Sequence, residues 1–472
     1  MGSRCATRAG RGIRVTARSR SRRTAPRGAA YDLLHAVHVD DAYANIAMAQ
    51  ILAGARLDQR DAALATELAY GTLRGQGLYD AILSTCVNRP LDRLDGRLLD
   101  VLRMGTHQLV AMRVPPHAAV AESVALARDV AGEGPAKLAN AVLRRVDEGG
   151  DLAAWVERLA PGDSVEDLAL ATSHPAWIVR ALSQALSAHP PSPRADDASL
   201  RALLDADNAP ARPTLVARPG RMDATTLCQT PGVAPARWSP YAAILQQGRP
   251  EDLAPVRDGR AAIQDEGSQL VALALAAVDV DGRDETWVDL CAGPGGKAAL
   301  LAGLAEQRGS RVVAVEPHRH RAELVRRGMS DRHEVIIGDG REAIVAGRAD
   351  RVLVDAPCTG LGALRRRPEA RWRRTPADLA ALGPLQRELL SAGAEAVRPG
   401  GVVAYATCSP HLAETDLVVD DVMRSRGDLD WIDARSFVPA GIPGLGEGPA
   451  LRLWPHVHGT DGMYLALLRR HA

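Results

Sequence analysis

The stretch "ETWVDLCAGPGGKAALLAGLAEQ", residues 285–307, predicts an apolar strand, a glycine-rich turn and a helix in immediate succession. Gly293, Gly295 and Gly296 let the backbone turn sharply and approach a ligand, because no Cβ stands in the way. A strand, such a turn and a helix form the first unit of nucleotide-binding α/β domains. This stretch therefore decides the fold class of the C-terminal half.

Strands and helices keep alternating after this turn. The helical stretches "HRAELVRRG" (320–328) and "LGPLQRELLSAGAEAV" (382–397) separate further short apolar runs. Those runs, each a predicted strand, are "SRVVAVE" (310–316), "HEVIIGDGR" (333–341), "ADRVLVDAP" (349–357) and "GGVVAYATC" (400–408). The alternation predicts a parallel, doubly wound sheet, in which ligands bind outside the carboxyl ends of the strands.

Acidic residues stand at these strand ends. Glu316 follows Gly296 by twenty residues, where an acid usually binds the ribose hydroxyls, and Asp339 closes the next strand. One acid per strand end suits a ribose and an adenine amino group. The spacing Gly293-x-Gly295-x-x-Ala298 also fits the dinucleotide fingerprint, so an NAD-dependent oxidoreductase stays an alternative at this point.

Two cysteines occupy the same kind of position. Cys358 follows the strand-ending Asp355 by three residues, and Cys408 ends the last predicted strand. A single cysteine is more often a small buried apolar residue, but two at ligand-facing strand ends beside a carboxylate indicate chemistry. A thiolate that attacks C6 of cytosine makes C5 nucleophilic enough to accept a methyl group from a sulfonium donor. Asp355 is placed to hydrogen-bond the N3/N4 edge of such an adduct.

Composition limits the remaining possibilities. Residues 1–28 contain nine Arg and no Asp or Glu, which predicts a disordered basic tail that attracts nucleic acid, with a transit peptide as the alternative. No run of 18 apolar residues predicts a membrane span. The six cysteines are scattered and form no Cys-x-x-Cys, so we expect no disulfide framework, no metal site and a cytoplasmic protein.

Three further segments precede or surround this α/β pattern. Helical spacing throughout residues 29–150 predicts an all-α domain, and residues 151–260 predict a linker with a small α/β region for RNA recognition. Residues 261–472 hold the α/β domain. The run "RRRPEARWRR" (365–374) has six Arg and one Trp, which predicts phosphate contacts and a stacking surface for RNA.

Three motifs together resemble the RNA cytosine-5 methyltransferases of the Sun/RsmB type. They are "VDLCAGPGGK" (288–297), "VLVDAPCTGLGALRRRPEARW" (352–372) and "YATCSP" (405–410). The helical half resembles the NusB-type RNA-binding domain that these enzymes carry in front. The resemblance implies a Rossmann-like S-adenosylmethionine methyltransferase domain preceded by an all-α NusB-like domain. It also implies 16S rRNA as the partner, and a monomer.

The resemblance also assigns roles to residues. It implies that Cys408 is the nucleophile, that Cys358 assists product release and that Asp355 is the motif-four acid. The implied S-adenosylmethionine contacts are Cys291, Ala292, Gly293, Pro294, Gly295, Gly296, Lys297, Glu316, Asp339 and Asp355. Glu316 stands where Asp is common in the family. A tRNA or other RNA methyltransferase and a non-catalytic NusB-like RNA-binding protein stay open as alternatives.

Lys297 is unusual for this chain, which has 58 Lys and Arg residues but only two Lys. A cation at a helix start opposes the helix dipole. We therefore expect Lys297 to make a contact that Arg would not replace.

Overall fold

The computed structural model describes residues 25–112, 114–191, 197–343 and 346–471. The chain divides into two compact units. One runs to Ala176 and includes Arg367–Trp372, and the other contains the remaining residues from Trp177 onward. Most of the predicted basic tail, residues 1–24, lies outside the described residues. Residues 25–28 were expected in that tail but begin the first helix.

The first unit is helical, as the spacing predicted. Its helices are α1 (Ala25–Val39), α2 (Ala44–Ala55), α3 (Gln59–Cys86), α4 (Gly96–Val110), α5 (Pro116–Ala131), α6 (Glu133–Glu148), α7 (Leu152–Leu159) and α8 (Val165–Ala171). Helix α6 shows why they pack, because Ala139, Val142, Leu143 and Val146 are buried on one face at helical spacing. The Asp58 carboxylate caps the start of α3 by accepting from Asp61 N at 2.8 Å.

The helical unit extends past residue 150. Trp155 in α7 is buried in the same core and donates from Nε1 to Val146 O at 3.2 Å. Packing of this indole joins α7 to the helical core beyond the predicted boundary at residue 150, and α8 lies in the same unit, which runs to Ala176.

Residues 367–372 also belong to the helical unit, although they follow the "DAPC" motif in the chain. Arg371 has no exposed surface and donates from Nη1 to Ser173 O at 3.1 Å. Trp372 donates from Nε1 to Leu73 O at 3.3 Å, and a Cβ on Gly77 would lie 2.3 Å from its ring. The expected phosphate contact by Arg371 is therefore wrong, because backbone carbonyls surround its guanidinium.

The second unit begins with helices and a small antiparallel sheet. Its elements are α9 (Ala176–Ala188), α10 (Asp197–Asn208), β1 (Thr214–Ala217), α11 (Ala224–Cys228), β2 (Val233–Pro235), β3 (Ala242–Leu245), α12 (Ala254–Arg257) and β4 (Ala261–Ile263). The strand order is β2-β3-β1-β4, so β4 is an edge strand.

A larger mixed sheet follows. Its elements are α13 (Glu266–Ala277), β5 (Thr286–Asp289), α14 (Gly296–Gln307), β6 (Arg311–Val315), α15 (Arg319–Gly328), β7 (Glu334–Ile336), β8 (Ala349–Asp355), α16 (Ala370–Arg373), α17 (Pro376–Ala396), β9 (Val397–Thr407), α18 (Asp416–Ser425), β10 (Leu429–Ile432), β11 (Leu451–Leu453), α19 (Pro455–His458) and β12 (Met463–Arg470). The strand order is β10-β12-β9-β8-β5-β6-β7, and β11 pairs with β12.

The fold class predicted from the alternation is confirmed, with one difference in the sheet. Strands β5 to β9 pair in parallel, whereas β12 runs antiparallel to β9, β10 and β11. Strand β5 lies between β6 and β8, so the strand order reverses beside it. Ligands bind doubly wound sheets at such a switch point. The ends of β5 and β8 therefore mark the site.

None of the helices in the described part of the chain combines the length and the apolar character that crossing a bilayer requires.

Candidate active site

The glycine loop connects β5 to α14. Gly295 caps the helix at φ +115°, and a Cβ there would lie 3.0 Å from Val325 Cα. A Cβ on Gly293 would come within 1.9 Å of Glu316 Oε2. Only glycine therefore lets this loop pass over the buried carboxylate of Glu316.

Glu316 ends β6 with only 2% of its surface exposed. Its Oε1 accepts from His318 N at 2.9 Å, and Arg321 Nη1 lies 3.6 Å from its Oε2. Asp339 follows β7 and is half-exposed, with both of its oxygens bound by Arg341 at 2.9 and 2.6 Å. This pairing lowers the pKa of Asp339. Of the two expected cofactor acids, Glu316 is thus held inside the crevice and Asp339 at its margin.

Lys297 and Asp355 form an ion pair across the switch point. Lys297 Nζ lies 2.9 Å from Asp355 Oδ2, and the lysine side chain is 11% exposed. Burial lowers the pKa of Lys297, but the charge and hydrogen bond of Asp355 outweigh it, so the net pKa is raised. This contact accounts for a cation at the start of α14, and the expectation that Arg could not replace Lys297 stays a prediction.

Asp289 was missed at the sequence level, because it lies inside an apolar strand. Its carboxylate is fully buried, with Oδ1 accepting from Cys291 N at 3.1 Å and Oδ2 making no hydrogen bond among the described residues. Burial, followed by the charge of Asp355, raises the pKa of Asp289 to about 7. A buried oxygen without a donor is suited to a ligand that supplies one.

Four carboxylates surround the Cys291 thiol in this crevice, and three of them lie beside a cation. The pKa of the Cys291 thiol is raised well above its ordinary value, first by burial and then by four carboxylates: Asp289, Asp355, Glu316 and Asp339. This rules out a reactive Cys291 thiolate.

The two expected catalytic thiols lie next to each other. Asp355 of β8 pairs with Ala406 of β9, so the residues just beyond these strands meet. Cys358 Sγ and Cys408 Sγ are 3.5 Å apart, and both residues are half-buried. Gly362 N donates to Cys408 O at 2.9 Å and holds the loop that follows Cys358 against Cys408.

Their electrostatic surroundings differ. The hydrogen bond with Cys408, burial, and the charges of Cys408, Glu414 and Asp355 raise the pKa of the Cys358 thiol well above its ordinary value. Cations instead face Cys408, because its charge contributes to the raised pKa values of Lys297 and Arg366. Nearby cations favour negative charge on the Cys408 sulfur, whereas nearby carboxylates oppose it on the Cys358 sulfur.

Arg366 is held in place by a second pair of carboxylates. Its Nε lies 2.9 Å from Asp461 Oδ1, and Asp461 N donates to Asp265 Oδ1 at 3.0 Å. Burial and the charge of Asp461 raise the pKa of Asp265 to about 6. Arg366, which the sequence grouped with RNA-contacting arginines, therefore has a fixed position in the site.

Comparison with known proteins identifies the family. The family model described as "16S rRNA methyltransferase RsmB/F" matches residues 276–469, and that of the "NusB family" matches residues 24–148. The chain is 50% identical to "Putative methyltransferase Rv1407" of Mycobacterium tuberculosis, over 97% of this chain and 100% of that one. The chain belongs to the RsmB/F methyltransferase family.

Other similarities agree with this family. "Probable ribosomal RNA small subunit methyltransferase B" of Bacillus subtilis is 29% identical over 95% of this chain and 99% of the relative. The solved structure of PH0851 superposes with a TM-score of 0.77 at 21% identity, covering 94% of this chain and 99% of that chain. The RsmB/F assignment confirms the predicted family and the NusB-like domain in front of a Rossmann-like domain, and it excludes the oxidoreductase alternative.

One more carboxylate of this RsmB/F protein supports the site and was missed in the sequence. Glu414 is 1% exposed, and its Oε1 accepts from Thr359 N at 2.8 Å and from Gln386 Nε2 at 3.1 Å. Thr359 Oγ1 donates to its Oε2, and Gln386 Nε2 also donates to Pro357 O at 2.8 Å. Glu414 thereby fixes both neighbours of Cys358.

The described residues contain no group of three or more His, Cys, Asp or Glu side chains arranged to hold a metal ion.

Proposed function

We propose that the chain transfers the methyl group of S-adenosylmethionine to C5 of a cytosine in 16S rRNA, through a covalent bond between Cys408 and C6. The observation that carries this proposal is the pair of sulfur atoms 3.5 Å apart in unlike electrostatic surroundings. A reaction that needs one thiolate nucleophile and one protonated partner fits such a pair.

The cofactor fits the crevice at the ends of β5 and β6. The buried carboxylate of Glu316 would accept hydrogen bonds from the ribose hydroxyls. Asp289 Oδ2 has no hydrogen-bond donor among the described residues and could accept one from the ligand. The residues that would hold the cofactor are Cys291, Ala292, Gly293, Pro294, Gly295, Gly296, Lys297, Glu316, Asp339 and Asp355. When bound, S-adenosylmethionine supplies an electrophilic methyl group on a sulfonium, whose charge the surrounding carboxylates favour.

Base recognition follows from the Lys297–Asp355 pair. Cytosine presents an acceptor at N3 beside a donor at N4, whereas uracil presents a donor beside an acceptor. An ammonium next to a carboxylate, 2.9 Å apart, is complementary to cytosine and opposed to uracil. The Lys297 ammonium donates to N3 as C6 is attacked, which stabilises the charge that the ring gains.

The two thiols then act in sequence. The Cys408 thiolate forms the S–C6 bond, and its sulfur becomes an uncharged thioether. The charge of Cys408, which helps to keep Cys358 protonated, is thereby removed. After methyl transfer Cys358 can lose its proton to solvent and take the C5 proton. The C6–S bond breaks as the C5–C6 double bond returns, and Cys408 leaves as a thiolate.

Methyl transfer from tritiated S-adenosylmethionine to unmethylated 16S rRNA or 30S subunits tests this function, with tRNA as a parallel substrate. We expect transfer to be lost in Cys408→Ala, and Cys358→Ala to accumulate a protein–RNA adduct that survives denaturing electrophoresis. Cys228→Ala, which changes a cysteine in α11, serves as the matched control. Full activity in Cys408→Ala would refute the assignment of the nucleophile. A wild-type protein that methylates no RNA would favour the non-catalytic alternative.

A further inference from the structure

A cavity of about 270 Å³ lies against the glycine loop, and its charged lining residues are Arg218 and Arg327. Strands β1 and β4 of the small sheet form one wall, and the start of α14 with the end of α15 forms the other. Arg218, Ile263, Gly296, Leu324 and Arg327 are among the residues that line it.

Two arginines, Arg218 and Arg327, line this groove, and the guanidinium group of Arg221 lies near that of Arg218. Arg218 Nη1 donates to Gly328 O at 2.9 Å, and Arg221 Nη1 donates to Gly259 O at 3.4 Å. Both guanidinium groups approach the same point, because a Cβ on Gly259 would lie 4.0 and 3.8 Å from their Nη1 atoms. Within the described ranges, Arg218, Arg221 and Arg327 form no ion pair with a carboxylate. Neighbouring Arg260, by contrast, pairs with Asp258 at 3.0 Å.

This charge is unfavourable in the protein alone. Burial, followed by the charge of Arg221, lowers the pKa of Arg218. Its Nε is inaccessible and has no hydrogen-bond acceptor among the described residues. An anion in the groove would offset the repulsion between the two guanidinium groups.

The groove also has an exposed apolar floor. Ile263 on the edge strand β4 is 50% exposed, and Leu324 on α15 is 45% exposed. The next residue, Gln264, contacts Gly296, since a Cβ there would lie 3.7 Å from Gln264 Cδ. The apolar floor therefore adjoins the loop that holds the cofactor residues. Single-stranded RNA alternates anionic phosphates with flat bases and riboses. A groove with cations around an apolar surface is complementary to such a strand.

We propose that this groove binds the single-stranded RNA that flanks the target cytosine, with Arg218, Arg221 and Arg327 on phosphates and Ile263 and Leu324 against a base or ribose. The proposal rests on the proposed function, because it assumes an RNA substrate. An acidic peptide and the cofactor itself are the competing occupants.

The test uses the full chain and an unmodified 16S rRNA transcript. Arg221→Gln and Arg327→Gln, alone and together, remove the exposed cations. Arg260→Gln and Arg319→Gln remove neighbouring arginines that are already paired with Asp258 and Glu323. We measure RNA affinity between 50 and 300 mM salt, the affinity for S-adenosylmethionine, and the KM and kcat of methyl transfer.

We expect each single groove variant to weaken RNA binding and raise the RNA KM about five- to tenfold, and to reduce the slope of log K against log salt by about 0.7. The double variant should reduce the slope by about twice as much. Affinity for S-adenosylmethionine, kcat and both control variants should stay within about twofold of wild type. An unchanged RNA slope in the double variant would overturn the proposal. So would a loss of cofactor affinity with normal RNA binding, which would assign the groove to the cofactor. Methyl transfer by the wild type tests the proposed function separately, since the RNA slope can be measured whether or not transfer occurs.

Discussion

The Sγ atoms of Cys358 and Cys408 lie 3.5 Å apart at the ends of adjacent parallel strands. At this distance two thiolates would repel each other strongly, so the pair ionises one thiol at a time. Lys297 and Arg366 face Cys408, whereas Asp355 and Glu414 face Cys358. The roles that the family resemblance implied for the two cysteines stay a prediction, which these unlike surroundings support.

Selective alkylation should report this asymmetry. In the absence of RNA, we expect iodoacetamide at pH 7.5 to modify Cys408 at least about tenfold faster than Cys358, because the thiolate is the reactive form. Peptide mass spectrometry after timed quenching measures both rates. In Cys408→Ala, Cys358 should react faster than it does in the wild type, because the hydrogen bond and the charge of Cys408 that raise its pKa are removed. Faster modification of Cys358 in the wild type would contradict the charge assignment.

Replacing Lys297 should reduce catalysis more than cofactor binding. Lys297→Met removes the ammonium that lies 2.9 Å from Asp355, and we expect kcat to fall on the order of 100-fold. Lys297→Arg should restore only part of the lost kcat. The site encloses the lysine side chain, which is 11% exposed, and a planar guanidinium cannot place a single point charge there. The chain offers a matched control in Lys137→Met, which changes its only other lysine, exposed on α6. Equal kcat values for Lys297→Met and Lys137→Met would remove Lys297 from the mechanism.

Much of this site was predictable from local sequence. The glycine loop, the acids at strand ends and both thiols follow from short apolar runs that stop at polar residues. The positions of Cys358 and Cys408 at ligand-facing ends were therefore predicted, but their 3.5 Å separation was not. That distance depends on β8 and β9 being neighbours in register, which only the whole sheet determines.

Other features have no local signature. Strand β12 is buried along most of its length, so it lacks the alternation that would indicate an antiparallel partner. The sequence around Arg371 indicates a solvated run of charges. In the structure, however, its Nη1 donates to the carbonyls of Arg74 and Ser173, which are distant in sequence. Asp289 stands within an apolar strand, and its raised pKa follows from burial that no short pattern reveals.

Glu414→Gln should slow product release without preventing formation of the protein–RNA adduct. The amide would turn an NH₂ group toward one of three donors from Thr359 and Gln386, leaving a buried polar clash of about 1–3 kcal/mol. The loop that carries Cys358 would shift, so we expect slower product release and more trapped protein–RNA adduct, with unchanged RNA affinity. Quantifying adduct and kcat together measures this. Glu447→Gln, at an exposed glutamate, is the control. A fall in kcat without adduct would indicate that Glu414 supports the fold alone.

Asp289→Asn should stabilise the ligand-free protein at high pH. Because the native pKa of Asp289 is about 7 and that of an unfolded Asp is about 3.9, the native state binds more protons between these values. Stability from this group is therefore full below about pH 4 and is lost as pH rises through 7. The variant avoids this loss, so we expect its stability relative to wild type to be about 2–3 kcal/mol greater at pH 8 than at pH 5.

Scanning calorimetry of wild type and Asp289→Asn at pH 5 and pH 8 measures the gain, as several degrees in the melting temperature of the methyltransferase unit. Asp339→Asn should instead lose stability as pH rises relative to wild type. Arg341 lowers the pKa of Asp339, so the ionised Asp339 carboxylate stabilises the wild type only above the pKa of an unfolded Asp. The stabilised Asp289→Asn protein should bind S-adenosylmethionine at least about tenfold more weakly, since an uncharged amide no longer attracts a sulfonium. A variant destabilised equally at both pH values would show that the Asp289 carboxylate is ionised and satisfied without a ligand.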